Sequence, residues 1–314
     1  MRFGVLFFLC AAVVLAGLDA APAHAAGSSK KYSKRVTVTY SSAKRKAVKP
    51  VKVRRGPVED SDHLLLKSAA VLVQDQSTGA VLFEKNAQAV VPIASITKLM
   101  TAMVVLDAQL SLSEPLTVTD EDVDRLRGSS SRLRVGTELS REDMLRLALM
   151  SSENRAASAL ARHYPGGREA FVEAMNRKAE AIGLADTHFR DSTGLSAANV
   201  SSARDLVKMV AAASKYPLIR EMSTTPEYEV EVAGRRMAFR NTNTLVRNSS
   251  WEIGVSKTGF INESGKCLVM QAWLANKPMI IVLLDSVGRL TRIGDAQRIR
   301  KWIESAALSR QNES

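Results

Sequence analysis

Ser68-Ala-Ala-Val-Leu-Val-Gln-Asp75, followed by Gln76-Ser-Thr-Gly79 and then Ala80-Val-Leu-Phe-Glu84, is the stretch that sets the fold. Two short apolar, β-branched runs flank a Ser-Thr-Gly turn, which is the pattern of a β-hairpin. The pattern returns near the other end of the chain, where residues 267–274 and 279–285 are separated by Ala275-Asn-Lys-Pro278. Between the hairpins the apolar period changes. Ile96, Leu99, Met100, Met103 and Val104 recur at helical spacing, as do Met144, Leu145, Leu147 and Ala148, and later Phe171, Ala174 and Met175. Ser140-Arg-Glu-Asp143 has the form of a capping box at the start of the second helix, and Ser201-Ser202 with Asp205 opens another. A last amphipathic helix is expected over about 295–307. Strands, then helices, then strands and a closing helix predict an α+β fold: an antiparallel sheet built from both chain ends, with a helical lobe inserted between them.

Outward from this core, the charge is uneven. The chain has 314 residues and a net charge of +12. Residues 26–57 hold eleven Lys or Arg and no acid, and Arg2 and Asp19 cancel in residues 1–25, so the remaining chain is close to neutral. The total therefore does not describe a basic groove on a folded nucleic-acid binder. With 46% apolar residues and both charge signs mixed along the body, global disorder is excluded. Residues 26–57 cannot bury enough apolar surface to offset their ordering entropy and are expected to form a flexible tether. That tether would either attract an anionic envelope surface or act as a plain linker.

Arg2, the apolar run 3–18 and the small-residue pattern Ala23-His-Ala25 read as a secretory signal peptide occupying residues 1–25. The run is shorter than the ~20 residues a membrane-spanning helix needs. A periplasmic protein, soluble or peripherally associated, is the expectation, and export removes nucleic acid as a partner. Cys10 lies in the signal, which leaves Cys267 alone in the mature chain with no intramolecular disulfide to form. His24, His63, His163 and His188 lack metal-ligand spacing, so neither a metal nor another cofactor is expected.

The chemistry concentrates in three clusters. In Pro92-Ile-Ala-Ser95-Ile-Thr-Lys98, one helical turn puts a hydroxyl and an amine on the same face, where the amine can take the hydroxyl proton. A helix start also aims backbone N–H groups at the place where an oxyanion would form. Ser152-Glu-Asn154 adds a second hydroxyl and an amide between two helices, and Lys257-Thr-Gly259 is expected at the end of an apolar strand over 251–256. Taken singly, each has a bland counterpart: a buried lysine paired with a carboxylate, a capping serine, an exposed strand end. The Ser-x-x-Lys spacing recurs without meaning in the basic tail, at Ser28 with Lys31.

In this order and separation, Ser95-x-x-Lys98, Ser152-x-Asn154 and Lys257-Thr258-Gly259 resemble the three signature motifs of the penicillin-binding proteins and serine β-lactamases. Thr187-His-Phe, Ser192-Thr-Gly-Leu195, Asn241-Thr-Asn-Thr-Leu245 and Phe260-Ile-Asn-Glu-Ser-Gly265 are similar to accessory motifs of the low-molecular-mass D-alanyl-D-alanine peptidases. Met150-Ser-Ser-Glu-Asn-Arg-Ala-Ala157 resembles their endopeptidase branch, the penicillin-binding protein seven type. The resemblance implies a β-lactamase/transpeptidase-like domain over 58–314. Its sheet lobe, of about five strands, would comprise 68–94 and 228–314, and its all-helical lobe about 95–227. It implies Ser95 as acylated nucleophile, Lys98 as its base and Ser152 as proton relay to the leaving amine. Asn154, Lys257, Thr258 and Gly259 would bind substrate, and the N–H groups of Ser95 and Phe260 would form the oxyanion hole. Burial and the nearby Lys257 charge are both expected to depress the Lys98 pKa.

The substrates so implied are peptidoglycan stem peptides, with β-lactams as covalent inhibitors. A β-lactamase is disfavoured, because residues 169–176 read as helix where a deacylating Glu on a loop would be needed. Carboxypeptidase relatives often carry Arg between the two asparagines of Asn-x-Asn, to hold a terminal carboxylate. Here Thr242 stands there, which suits a substrate continuing past the scissile bond. The expectation is a D,D-endopeptidase, with a D,D-carboxypeptidase second. A non-catalytic wall-binding protein is the alternative from another class.

Overall fold

Both faces of the N-terminal strand are covered, and that explains its unbroken apolar run. In the computed structural model, which describes residues 64–312 except 233, Ala70 and Leu72 of β1 (Ser68–Asp75) enter one apolar cluster and Val71 and Val73 enter another. The signal peptide and basic tether lie outside the described residues. After β1 come β2 (Val81–Lys85) and the two-residue β3 (Val91–Pro92). The central region holds α1 (Lys98–Asp107), β4 (Pro115–Thr117), β5 (Glu138–Ser140), α2 (Arg141–Met150), α3 (Asn154–Arg162) and α4 (Gly167–Ala181). It continues with β6 (Val200–Ser201), α5 (Ala203–Ala213) and α6 (Pro217–Thr224). A hairpin of β7 (Glu227–Val232) and β8 (Arg235–Arg240) follows, then β9 (Glu252–Ile261), β10 (Gly265–Leu274), β11 (Lys277–Ser286) and α7 (Thr291–Asn312).

The main sheet is five-stranded and antiparallel, in the order β2-β1-β11-β10-β9. The first strand therefore pairs with the last, from Ser68 against Ser286 to Asp75 against Met279. The α+β architecture and five-stranded sheet match the expectation. On one face, Ile280, Val282 and Leu284 of β11 meet the helices. On the other, Met279, Ile281 and Leu283 meet Ala296, Ile299 and Ile303, one stripe of α7. Ser140 and Ser202 cap α2 and α5 by accepting from the backbone N–H groups of Asp143 and Asp205.

Several boundaries differ from the sequence expectations. The β10–β11 turn is only Ala275-Asn276, with φ of 48° and 61°, so Lys277 and Pro278 belong to β11. Two consecutive positive φ values give a hairpin turn whose twist matches its strands. α7 begins at Thr291 rather than near 295, and Asp295, inside it, faces inward and accepts from the backbone N–H groups of Lys67 and Ser68 at 3.1 and 2.7 Å. The β7–β8 hairpin is an addition to the expected layout. Its Glu-Tyr-Glu-Val-Glu-Val alternation exposes the glutamates and buries Val230 against the helical cluster.

Candidate active site

Ser95 sits in a 3₁₀ turn (Ala94–Thr97) that runs directly into α1, whose first residue is Lys98. The shared face expected from their spacing is present: Lys98 Nζ lies 2.9 Å from Ser95 Oγ. Lys98 also donates to Asn154 Oδ1 at 2.8 Å and to the Thr193 carbonyl at 2.6 Å. Asn154, at the start of α3, donates its amide N–H to Ser129 Oγ at 3.0 Å, which fixes the oxygen toward the lysine. Ser152 stands between α2 and α3 with φ 63°. Its hydroxyl accepts from Lys257 Nζ at 2.8 Å and thereby joins the second cluster to the third.

Lys257-Thr258-Gly259 does not end a strand. β9 continues to Ile261, because β10 keeps pairing alongside it, with Lys257 opposite Val269, Gly259 opposite Cys267 and Phe260 opposite Lys266. Gly259 is required by a close approach rather than by a turn. A Cβ there would lie 2.8 Å from the Ile93 carbonyl oxygen and 3.3 Å from the Ser95 nitrogen. The strand backbone is thus pressed against the Ser95 amide, and Phe260 comes next along it. The Phe260 ring is half exposed, with Lys266 Nζ 3.9 Å from its centroid.

A family model described as D-alanyl-D-alanine carboxypeptidase matches residues 58–288. The chain belongs to that family. It is 51% identical over 246 residues to a D-alanyl-D-alanine endopeptidase of Pseudomonas aeruginosa, covering 78% of this chain and 79% of that protein. It is 49% identical over 245 residues to a D-alanyl-D-alanine endopeptidase of Escherichia coli, covering 77% and 79%. Among solved structures it resembles a Streptomyces DD-transpeptidase, with TM-score 0.71 and 30% identity over 76% of this chain and 97% of that one. It also resembles a penicillin-binding protein of Listeria monocytogenes in its ampicillin-bound form, with TM-score 0.66 and 29% identity over 76% and 97%. As a member of the D-alanyl-D-alanine carboxypeptidase family with the β-lactamase/transpeptidase fold, the chain is a serine peptidase.

In this peptidase the electrostatics turn on burial. Lys98 is fully buried, and desolvation lowers its pKa to about 7 against the opposing pull of Asp191 and Glu153. The expected contribution from Lys257 falls the other way. Burial first, then the charges of Lys98 and Arg292, push Lys257 well below the ordinary lysine range. Arg292, on the first turn of α7, was not singled out from the sequence. It is largely buried, and its Nε and Nη1 have no partner among the described residues. An isolated arginine behind a strand carries no sequence signal; only the packing of α7 brings it near Lys257.

The support behind Lys98 was also only half legible. Within Ser192-Thr-Gly-Leu195, the sequence offered no reason to assign the Thr193 carbonyl to the lysine. Asp191 shapes that loop by accepting from the backbone N–H groups of Thr193, Gly194 and Ser196 at 2.7, 2.7 and 2.9 Å. Gly194, at φ +82°, lies so close to Ala94 that a Cβ would stand 2.0 Å from the Ala94 carbonyl oxygen. In Asn241-Thr-Asn243, both asparagines brace their surroundings. Asn241 donates to the Ser223 and Thr225 carbonyls, and Asn243 donates to Ser256 Oγ. Thr242 reaches the site, its Oγ1 accepting from Thr258 Oγ1 at 2.6 Å.

Other candidates fall away from the cleft. Glu169 and Asn176 lie in α4, and Asn176 donates to the Val172 and Phe189 carbonyls, as their helical reading requires. Cys267 is a buried β10 residue whose thiol is pushed up to about 11 by burial, so it is unreactive near neutrality. His163 Nδ1 is engaged with the Ala159 carbonyl at 2.9 Å, and His188 takes part in a backbone bridge to Val200. Among the described residues no group of His, Cys, Asp or Glu is placed to hold a metal ion, and no helix is long and apolar enough to cross a membrane.

Proposed function

We propose that this chain is a periplasmic serine D,D-endopeptidase that hydrolyses D-alanine-containing cross-links of peptidoglycan through an acyl-enzyme on Ser95. The observation that carries the proposal is the state of Lys98. An amine that donates to Asn154 and to the Thr193 carbonyl keeps its lone pair for the Ser95 hydroxyl, and a pKa of about 7 leaves a large fraction of it, about half, neutral near pH 7. Ser95 Oγ attacks the D-alanyl carbonyl carbon while its proton passes to Lys98. The N–H groups of Ser95 and Phe260 hold the oxyanion. The C–N bond then breaks, the leaving amine takes a proton relayed by Ser152, and the acyl group remains as an ester on Ser95. Water, activated by the same amine, hydrolyses the ester and restores the enzyme. Asn154 orients Lys98 and the substrate backbone, while Lys257, Thr258 and Gly259 bind the substrate along β9. A β-lactam enters the first half of this sequence and acylates the same serine.

The endopeptidase assignment is supported by the names of the two relatives near 50% identity and by Thr242 in place of a carboxylate-binding arginine. The family model's own description favours a D,D-carboxypeptidase as the second reading. Purified cross-linked muropeptide dimers and pentapeptide monomers separate the two. Dimer cleavage is expected, and release of D-alanine from monomers with dimers untouched would overturn the assignment. Intact-mass analysis with benzylpenicillin is expected to show one covalent adduct that Ser95→Ala abolishes; its absence in the unaltered protein would defeat the catalytic reading and leave a wall-binding protein. The basic segment is assigned to an anionic envelope surface. Deleting residues 27–57 is expected to weaken sedimentation with sacculi at low salt, and unchanged sedimentation would reduce the segment to a linker.

A further inference from the structure

Behind Lys98 the hydrogen bonds run on to a carboxylate. Asn154 accepts from Lys98 Nζ at 2.8 Å and donates to Ser129 Oγ at 3.0 Å. The Ser129 hydroxyl in turn donates to Asp124, whose carboxylate also accepts from the backbone N–H groups of Leu126, Arg127 and Ser129 at 2.9, 3.0 and 2.9 Å. Partial burial works to raise the Asp124 pKa, but the Ser129 hydroxyl and these N–H groups hold it below the ordinary carboxylate range, so the group stays ionised near neutrality. Arg127 secures the same turn across the cleft. Its Nε donates to the Leu195 carbonyl at 2.5 Å, and its Nη1 pairs with Glu263 at 2.9 Å. Direction matters in this chain of bonds. A carboxylate has no proton to give, so Ser129 donates to Asp124 and keeps only its lone pairs for Asn154. Asn154 must then turn its NH2 group outward and its oxygen inward, and Lys98 spends a hydrogen on the amide instead of its lone pair. An amide facing the other way would donate to a neutral lysine and occupy the lone pair that Ser95 needs.

We propose that Asp124, acting through Ser129, is a positioning residue that fixes the polarity of Asn154 and so reserves the Lys98 lone pair for Ser95. The inference rests on the reading of Lys98 as base and deepens it. With Asp124 made neutral or the Ser129 hydroxyl removed, a reversed amide becomes available, and it pairs only with the neutral amine. That extra state stabilises neutral Lys98 while withholding it from Ser95. One factor therefore lowers both the midpoint of the pH profile and the acylation rate above it, and well below the midpoint the two effects cancel. A site that is merely looser would lose rate at every pH and keep its midpoint.

The test compares the full chain with its Asp124→Asn and Ser129→Ala variants. Acylation by benzylpenicillin is followed between pH 5 and 9, and the Lys98 titration is followed separately by NMR of isotope-labelled lysine. Each variant is expected to show a plateau about tenfold lower, a midpoint lower by about one pH unit in both measurements, and an unchanged rate at pH 5. Ser129→Thr, which keeps the hydroxyl, should restore both values. Asp191, Glu153 and Lys257, the charged groups around Lys98, are untouched by these changes and act on every profile alike. A midpoint that stays in place in both variants, a loss of equal size at pH 5 and pH 9, or a shift that persists in Ser129→Thr would overturn the proposal. A flat acylation profile in the unaltered protein would instead remove Lys98 as base, while the NMR titration, which needs no turnover, still decides whether Asp124 and Ser129 set the state of the lysine.

Discussion

Lys98 Nζ lies 2.9 Å from Ser95 Oγ, and the two other contacts of that nitrogen are both to carbonyl oxygens. This arrangement suits a neutral amine with two hydrogens to give and one lone pair to offer. Under the proposed mechanism the proton acceptor lies inside the fold rather than on a separate histidine, and the protonation state of one buried lysine controls acylation.

Acylation by benzylpenicillin is therefore expected to rise with pH through a midpoint near 7, where Lys98 loses its proton. Stopped-flow or intact-mass rates between pH 5 and 9 measure this. A flat profile would remove Lys98 from the role of base. Lys98→Met should lower the rate by about 10²–10⁴-fold, the usual share of general acid–base catalysis.

The same lysine makes folding stability depend on pH. Its folded pKa, about 7, lies below the ordinary value of 10.5. Between those values the unfolded chain binds more protons, so the contribution of Lys98 to stability becomes more favourable as pH rises from about 7 to about 10.5. At and below neutrality the buried charge is a cost. Lys98→Met is thus expected to be more stable than the unaltered protein at pH 6, with the difference shrinking toward pH 10. Paired denaturant titrations would contradict this if the difference were independent of pH.

Gly194 and Gly183 share a positive φ but not their surroundings, so they separate strain from contact. An added Cβ at Gly183 meets nothing within 4 Å, whereas at Gly194 it would collide with the Ala94 carbonyl. Gly183→Ala should cost about 1–2 kcal/mol from backbone strain alone. Gly194→Ala should cost more and should also slow acylation, because the displaced Ala94 carries Ser95. Equal stability losses in the two variants, with acylation intact in both, would refute the role assigned to this contact.

Thr242→Arg would restore a cation beside Thr258, 16 residues along the chain and in hydroxyl contact with position 242. Release of D-alanine from pentapeptide monomers is expected to increase relative to dimer cleavage by about tenfold, as a new ion pair to a terminal carboxylate would give. An unchanged ratio would show that position 242 does not set the choice.

Much of the fold was legible because its strands and helices carry distinct periods. Residues 68–84 and 267–285 carry short apolar, β-branched runs broken by turns and so read as hairpins, while Ser140 and Ser202 mark helix starts through local capping chemistry. The motif residues were legible through spacing: Ser95 and Lys98 meet because a helical turn brings positions three apart together. What escaped depends on contacts distant in sequence. The Thr193 carbonyl reaches Lys98 across 95 residues, and Arg292 approaches Lys257 only after α7 packs on the sheet. The run of β9 through Lys257 to Ile261 escaped for a related reason, since glycine weakens a strand locally and only its neighbour β10 sustains it.

The pairing of β1 with β11 has a consequence for the order in which the molecule can come into being. Ser68 waits for Ser286 and for Asp295, so the central position in the sheet stays open until more than two hundred further residues have been made. A nascent or truncated chain lacking the segment from Lys277 would leave β1 and β10 without their shared neighbour, and the pocket that strips water from Lys98 would not close. Its lysine would then keep an ordinary affinity for protons and could not activate the serine. Covalent labelling by a fluorescent penicillin should accordingly report completion of the whole chain, appearing in one step when the last strand is in place rather than growing with length.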